Sequence, residues 1–182
     1  MKAVLLSIQP KWCELIASEK KTVEVRKTRP KLETPFKVYI YCSDSSKDIF
    51  YRSVYSYDDL LYTPKHKDEC KRKLTENGHF IYNGKVIGEF VCDRIQEITY
   101  TQIYNFGRYK DVCEAETRLD FYALDDYLKQ KNGYGWHISD LVIYDEPREL
   151  SEFEGLRKTK FGYEPIKITK PPQSLCYVEV LP

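Results

Sequence analysis

The sequence predicts an α+β fold, namely a small mixed β-barrel with peripheral helices, formed by one domain over residues 1–182. A short alternation of strand and helix opens the chain and strands dominate the remainder, whereas a doubly wound sheet would alternate throughout. A length of 182 residues suits one hydrophobic core with a single insertion, which we place at about residues 44–83.

The composition is that of an ordinary globular protein, with 42% hydrophobic and 31% charged residues. No apolar run approaches the roughly 18 residues of a membrane span, and the apolar run near the N-terminus is too short for a secretion signal. The six cysteines are dispersed without a C-x-x-C pair. This predicts reduced, mostly buried thiols in a cytoplasmic protein, and no membrane partner, metal or cofactor is expected.

Basic charge is concentrated near the N-terminus. Residues 1–37 contain nine basic and four acidic side chains, a balance of +5, so the rest of the chain contributes −4 to the net charge of +1. Such a cluster favours a polyanionic ligand, although a merely solvated surface explains it equally well.

The first element is a strand over residues 3–8, AVLLSI, because the run is short and continuously apolar. A helix follows from Pro10, since a proline in the first turn forfeits no helical hydrogen bond. Three residues at helical spacing form its one apolar stripe: Trp12, Leu15 and Ile16. After the next strand, a third covers residues 36–43, with aliphatic side chains on one face and tyrosines on the other.

The second strand, within KKTVEVRK at residues 20–27, places unlike residues on its two faces. Because successive side chains alternate, Val23 and Val25 point one way, and the other face presents Thr22, Glu24 and Arg26. This polar face is either a solvated surface with a weak ion pair or the wall of a binding or catalytic cleft. In the second case the valines lie on the barrel core.

Residues 44–83 differ in composition from the flanking sequence, because they are polar and rich in tyrosine. KHKDECKRKLTE, at residues 65–76, predicts a weakly amphipathic helix within them. The tyrosines of this insertion either bind a protein partner or pack on the barrel itself: Tyr51, Tyr55, Tyr57 and Tyr62.

The second half of the chain begins with Asn83-Gly84, the preferred pair of a type I′ turn. It predicts a hairpin into a long strand over residues 85–98, bent at Gly88. The remaining elements are, in order, loops and a helix best defined by ALDDYLKQK at 123–131, a strand at 133–144, a helical turn at 147–153, a lysine-rich loop, and a final strand within 170–181. PPQS, at 171–174, is a rigid turn or a source of polar contacts.

The stretch LLSIQPKWCELIASEKKTVEVRK resembles the opening of ASCH domains, which belong to the PUA-like superfamily. The family signature is Gly-x-Lys-x-x-Glu-x-Arg, and Lys21, Glu24 and Arg26 fall on its charged positions. Glu19 stands where the family has glycine. The helix therefore ends with a glutamate in the left-handed conformation, at a cost of roughly 1 kcal/mol, or it ends differently. GKVIGEFVCDRI, GYGWHISDLVIYDEPRELSEF and PPQSLCYVEV also resemble later parts of the family.

The resemblance implies a PUA-like β-pseudo-barrel whose cleft, beside the K-x-x-E-x-R strand, binds RNA or a nucleotide. Basic side chains would neutralise phosphates, Glu24 would accept a hydrogen bond from an exocyclic amine, and an aromatic ring would stack on a base. The expected ligand-binding residues are Lys21, Thr22, Glu24, Arg26, Lys27, Arg29, Trp136 and His137. A core position for Trp136 and a structural hydrogen bond for His137 remain open alternatives.

A second interpretation is an amidohydrolase acting on an acetylated cytidine nucleoside, because some small members of the family resemble enzymes with that activity. Its catalytic residues would be Lys21 and Glu24, acting together on a water molecule as general base. In those relatives a threonine on the signature strand serves beside the lysine, and Glu24 occupies its place here. The binding module is therefore the preferred interpretation.

Overall fold

The computed structural model describes residues 1–44, 48–53, 55, 60–63, 68–103 and 106–181. Its strands, in chain order, are β1 (Lys2–Ile8), β2 (Val23–Arg26), β3 (Phe36–Cys42), β4 (Ile49–Arg52), β5 (Leu60–Thr63), β6 (Phe80–Ile81), β7 (Val86–Cys92), β8 (Ile95–Ile103), β9 (Phe106–Lys110), β10 (Gly133–His137), β11 (Ser139–Arg148), β12 (Glu154–Thr159), β13 (Gly162–Lys167) and β14 (Leu175–Glu179). Its helices are α1 (Pro10–Ala17), α2 (Asp68–Glu76), α3 (Glu114–Thr117) and α4 (Phe121–Leu128), with a 3-10 turn at Leu150–Glu152.

The strands form three sheets. The largest has the order β11-β7-β3-β1-β14-β12-β13, a second has β2-β10-β8-β9, and a small third one has β5-β4-β6. Only β1 and β3 pair in parallel within the large sheet, because α1 and β2 connect them. The α+β prediction is confirmed. Closure into a pseudo-barrel stays a prediction, because the described strands pair as three open sheets.

The hydrophobic core lies on both sides of the large sheet. On β3, Val38 and Ile40 pack into the main cluster, whereas Tyr39 and Tyr41 pack into a second cluster on the opposite face. The alternation that the sequence predicts for this strand is thus confirmed, and both of its faces are buried. A third cluster lies beneath α4 and includes Val25 of β2.

Two predicted strands each break into a pair of strands in different sheets. The strand predicted at 85–98 splits at Asp93 and Arg94 into β7, in the seven-stranded sheet, and β8, in the four-stranded sheet. The strand predicted at 133–144 splits at Ile138 in the same way. The backbone N–H of His137 donates to the Arg94 carbonyl at 3.1 Å, so the two crossings lie side by side. Continuous apolar patterns do not reveal such a change of sheet.

The Asn83-Gly84 hairpin prediction is wrong. The turn exists, because the Lys85 N–H donates to the Tyr82 carbonyl at 3.2 Å, but a positive φ occurs at Gly84 (80°) and not at Asn83. A type I′ turn requires positive φ at both central residues. The buried Asn83 side chain instead accepts from the Phe50 N–H at 2.9 Å, and β6 pairs with β4 rather than with β7.

Three strand regions are absent from the predicted elements, one of them being β4 and β5 within the predicted insertion. β9 lies within the stretch predicted as loop and helix, and β12 with β13 form a hairpin where a lysine-rich loop is predicted. Nearly all of β13 is exposed to solvent. Strands exposed on both faces have no hydrophobic alternation, so the sequence pattern does not mark them.

The described residues of the predicted insertion form the small third sheet and α2, whereas residues 65–67 of the predicted helix lie outside the described ranges. Phe50 and Tyr82 of this region are fully buried in the main core, so part of the insertion packs on the rest of the molecule. Tyr55 is 81% exposed, and Tyr57 lies outside the described residues, so the protein-partner prediction for this region stays a prediction. All six cysteines are free thiols. Within the described ranges, no helix has the length and apolar character to cross a membrane.

Candidate functional site

The end of α1 determines where Lys21 is placed. Glu19 adopts the left-handed conformation, with φ of 57°, which is the first of the two helix endings considered from the sequence. Its N–H donates to the Ile16 carbonyl at 2.9 Å. The chain then folds back, so the Lys21 N–H donates to the Leu15 carbonyl at 2.9 Å. This turn directs Lys21 beneath the helix and starts β2 at Val23.

Lys21, Glu24 and Arg26 form a buried charge triad. The Lys21 ammonium lies 3.5 Å from one Glu24 carboxylate oxygen, and the Arg26 Nε lies 3.7 Å from the other. Their side chains are 2%, 7% and 11% exposed, respectively, so solvent screens these charges poorly. One carboxylate thus lies between two cations, and the triad has a net charge of +1.

Each cation of the triad is also bound to backbone carbonyls from distant parts of the chain. Lys21 donates to the Thr117 carbonyl at 2.6 Å, at the end of α3. The Nη2 of Arg26 donates to the Ser7 carbonyl at 2.6 Å and to the Ser174 carbonyl at 3.2 Å. Arg26 thereby joins the end of β1 to the segment that leads into β14.

Burial lowers the pKa of the Lys21 ammonium, while the Glu24 carboxylate partly offsets this effect. The Trp12 ring, whose centroid lies 5.2 Å from the Lys21 Nζ, contributes a favourable cation–π contact. A lysine with a lowered pKa beside a carboxylate can exchange a proton with it at lower cost than an exposed lysine could.

The triad lies against a large pocket, with a volume of about 1070 Å³. Its walls come from five parts of the chain: the end of β1 with the start of α1, the signature strand, the end of β3 with the residues after it, α4, and residues 171–174. Aromatic rings, hydroxyls and charges of both signs line it, notably Trp12, Tyr41, Tyr127, Ser43, Lys129 and Asp126. This volume is that of a small-molecule or cofactor site.

Exposed charges and one aromatic ring lie along the α4 side of this pocket. The Lys27 Nζ is 5.0 Å from the centroid of the Tyr127 ring. Lys129 forms an ion pair with Asp126 at 2.5 Å on the same helix end. Lys27 and Lys129 are exposed, unlike the buried triad, whereas Tyr127 is half-buried and packs on the cluster beneath α4.

Four of the residues expected from the sequence line the pocket: Lys21, Glu24, Arg26 and Lys27. Thr22 and Arg29 do not line it, and the Thr22 N–H donates to the Glu116 carbonyl of α3 at 3.0 Å. The expected valine face also differs. Val25 packs beneath α4 rather than in the main core.

The two candidates on β10 lie away from the pocket lining. Trp136 is completely buried in the main core, 5.7 Å from the Phe36 ring in an edge-to-face contact. It pairs with Glu24 across the strands, so the polar face of β2 points toward the main core. His137 makes a structural contact, because its Nδ1 lies 2.6 Å from an Asp93 carboxylate oxygen.

Sequence reasoning missed much of the pocket wall. The sequence places Trp12 in the apolar stripe of α1 and Tyr41 on the third strand, and the structure shows that both also line the pocket. Tyr127 and Lys129 lie more than 100 positions beyond the signature strand, and no motif connects them to it. The PPQS segment did offer a signal, since all four of its residues line the pocket.

No protein-family model matches the chain, and no curated protein matches it either. Among solved structures, the chain is similar to the crystal structure of ASCH from Zymomonas mobilis, with 17% identity and a TM-score of 0.48, over 95% of this chain and 85% of that chain. Two point mutants of the same protein also match at 17% identity, with TM-scores of 0.49 and 0.48. They cover 96% and 95% of this chain, and 88% and 85% of theirs.

Proposed function

We propose that this chain is an ASCH-type module with a PUA-like pseudo-barrel and that it binds a nucleotide, free or within single-stranded RNA, in the pocket beside the signature strand. The observation that carries the proposal is the pocket itself. It has a volume of about 1070 Å³ and combines a buried cationic triad with exposed lysines and an accessible tyrosine ring.

Each part of a nucleotide has a complementary group in this pocket. Lys27 and Lys129 are placed to neutralise phosphate oxygens, and charged hydrogen bonds of this kind are about twice as strong as neutral ones. Tyr127 and Trp12 provide ring surfaces for a base. Both Glu24 oxygens have only ion-pair contacts beyond 3.4 Å among the described residues, so this carboxylate retains the capacity to accept from an exocyclic amine.

Lys27→Ala is expected to weaken binding of a ribonucleoside 5′-monophosphate about tenfold or more, because one charge-assisted hydrogen bond to phosphate is lost. Binding of the matching nucleoside, which has no phosphate, should stay within about twofold. Isothermal titration with all four monophosphates and their nucleosides measures both quantities. Lys110→Ala, at the exposed end of β9, serves as the matched control. Absence of saturable binding by all four monophosphates would refute the proposed pocket.

A hydrolase remains the second candidate because one observation favours it, namely the lowered pKa of Lys21 beside Glu24. Among the described residues, no hydroxyl group forms a hydrogen bond with Lys21 or Glu24. The Ser7 hydroxyl, which lines the pocket, donates instead to the Pro172 carbonyl at 2.6 Å. The described residues therefore do not place a side-chain hydroxyl in contact with a base, which covalent catalysis requires.

We expect no hydrolysis of an acetylated cytidine by the wild-type protein, and Glu24→Thr alone should not introduce it. The release of acetate, followed by chromatography over a range of protein concentrations, tests this expectation. Turnover that is proportional to protein concentration, and abolished by Lys21→Ala in a protein shown to be folded, would establish an amidohydrolase. A catalytically inactive but nucleotide-binding protein would support the binding module.

A further inference from the structure

The β12–β13 hairpin presents an aromatic ring and unpaired basic charge at an exposed tip. Its strands pair from Glu154 opposite Lys167 to Thr159 opposite Gly162. Phe161, in the connecting turn, is 98% exposed. Residues 157–170 contain five basic residues and one acidic residue. Single exposed apolar side chains are common on protein surfaces, and at this position the ring is fully accessible to a partner.

The hairpin charges are available to a partner. Arg157 is paired with Glu164 across the hairpin at 3.7 Å. Lys158 and Lys160 flank the tip and are both exposed. Neither lysine forms an ion pair with another of the described residues. The tip therefore combines one ring with two free cations.

Strand directions start β12 toward the pocket end of the large sheet, while a side-chain contact holds the hairpin beside β1. The Lys2 Nζ, at the other end of β1, lies 3.7 Å from the centroid of the Tyr163 ring. β1 runs toward the pocket and ends at Ser7 and Ile8, which line it, and the antiparallel β14 begins just after Ser174, which also lines it. β12 is antiparallel to β14, with Gly155 opposite Val178, so β12 runs from that pairing toward the same end.

A basic loop lies between the pocket and the hairpin. The Lys31 N–H donates to the Tyr177 hydroxyl at 2.7 Å, and the Tyr177 ring lies 6.0 Å from the Tyr163 ring on β13. This contact holds residues 27–31 beside the hairpin, with Arg29 and Lys31 exposed. Positive charge is thus present from Lys27 at the pocket, through the loop, to the hairpin tip.

We propose that the hairpin tip is a second contact site for single-stranded RNA, so that one nucleotide occupies the pocket while a neighbouring part of the strand lies along residues 27–31 and stacks a base on Phe161. The proposal rests on the proposed nucleotide-binding function and extends it from a mononucleotide to a strand. Alternating cations and aromatic rings are typical of surfaces that bind single-stranded nucleic acid without reading its sequence. A protein partner would not require the basic charge to continue to the pocket.

The test compares a nucleoside monophosphate with a dimer, a tetramer and an octamer of the same ribonucleotide, at several salt concentrations. We expect affinity to rise with length once the strand reaches the tip. Phe161→Ala should weaken octamer binding about tenfold, through the loss of one base–aromatic stack. Lys158→Ala with Lys160→Ala should lower the slope of log K against log salt by about 1.4, since each phosphate contact on a single strand contributes about 0.7. Monophosphate binding should be unchanged in both variants.

A control variant with Arg72→Ala and Lys110→Ala removes two exposed basic residues outside the large sheet, and it should leave octamer binding unchanged. Octamer binding that equals monophosphate binding, or that is unaffected by the tip variants, would overturn the hairpin site while the pocket stands. Tip-dependent octamer binding without monophosphate binding would instead support the hairpin and reject the pocket. If Phe161→Ala changes only the oligomeric state measured by light scattering, the tip is a protein contact and the inference fails.

Discussion

Glu24→Gln is expected to lower the free energy of unfolding by about 3–5 kcal/mol, because it removes the one anion between two buried cations. The substitution keeps the shape of the side chain and leaves Lys21 and Arg26 unpaired, 2% and 11% exposed. Urea denaturation, followed by both circular dichroism and fluorescence, measures the change and tests two-state behaviour.

Glu14→Gln provides a matched control for this prediction. Glu14 pairs with Lys20 at 3.7 Å, but that lysine is 58% exposed, and a surface pair contributes at most about 1 kcal/mol. Adding Lys21→Met to Glu24→Gln should recover part of the loss, since it also removes a buried cation. Equal losses for Glu24→Gln and Glu14→Gln would contradict the buried triad.

Trp136→Ala should also cost about 3–5 kcal/mol of unfolding free energy, the usual loss when a buried tryptophan is truncated. Trp136 is completely buried against Phe36, in the main core and outside the pocket lining. Under conditions where the variant is still folded, its affinity for a nucleoside monophosphate should remain within a few-fold of wild type. Denaturation and titration on the same preparation separate the two effects.

Tyr122→Ala is the control, because Tyr122 is 81% exposed and its loss should change stability by no more than about 0.5 kcal/mol. The opposite result for Trp136→Ala, with stability kept and nucleotide binding lost, would identify Trp136 as the stacking residue suggested by the sequence. The pair of measurements thus decides between a core residue and a ligand contact.

Elements with a strong local pattern were predicted well. β1, α1 and β2 follow one another as the apolar run, the proline at the helix start and the alternating strand indicate. The sequence pattern did not predict some strands, and it predicted other pairs of strands as one, where packing against distant residues determines the structure. Ile138 and Asp93 mark points where the chain changes sheet, and the exposed β12–β13 hairpin has no apolar period to reveal it.

The Asn83-Gly84 pair shows the same limit at a single turn. Its sequence favours a type I′ hairpin, but the Asn83 side chain accepts from the Phe50 N–H and donates to the Asp48 carbonyl at 2.8 Å. These bonds satisfy a buried amide that would otherwise be costly, and they connect the turn to the small third sheet. A tertiary hydrogen bond thus prevails over a local preference.

By itself, the sequence determined that Glu24 and Arg26 would share one face of a short strand after a helix, with Lys21 just before that strand, because strand alternation and helix ending are local properties. Only the tertiary structure decided what those charges do. Lys21 and Arg26 donate to carbonyls at Thr117 and Ser174, some 96 and 148 positions away, and α4 supplies the opposite pocket wall. Burial and the choice of distant partners depend on how all the elements pack, so a local pattern can place charges on one face without revealing which of them a ligand can reach.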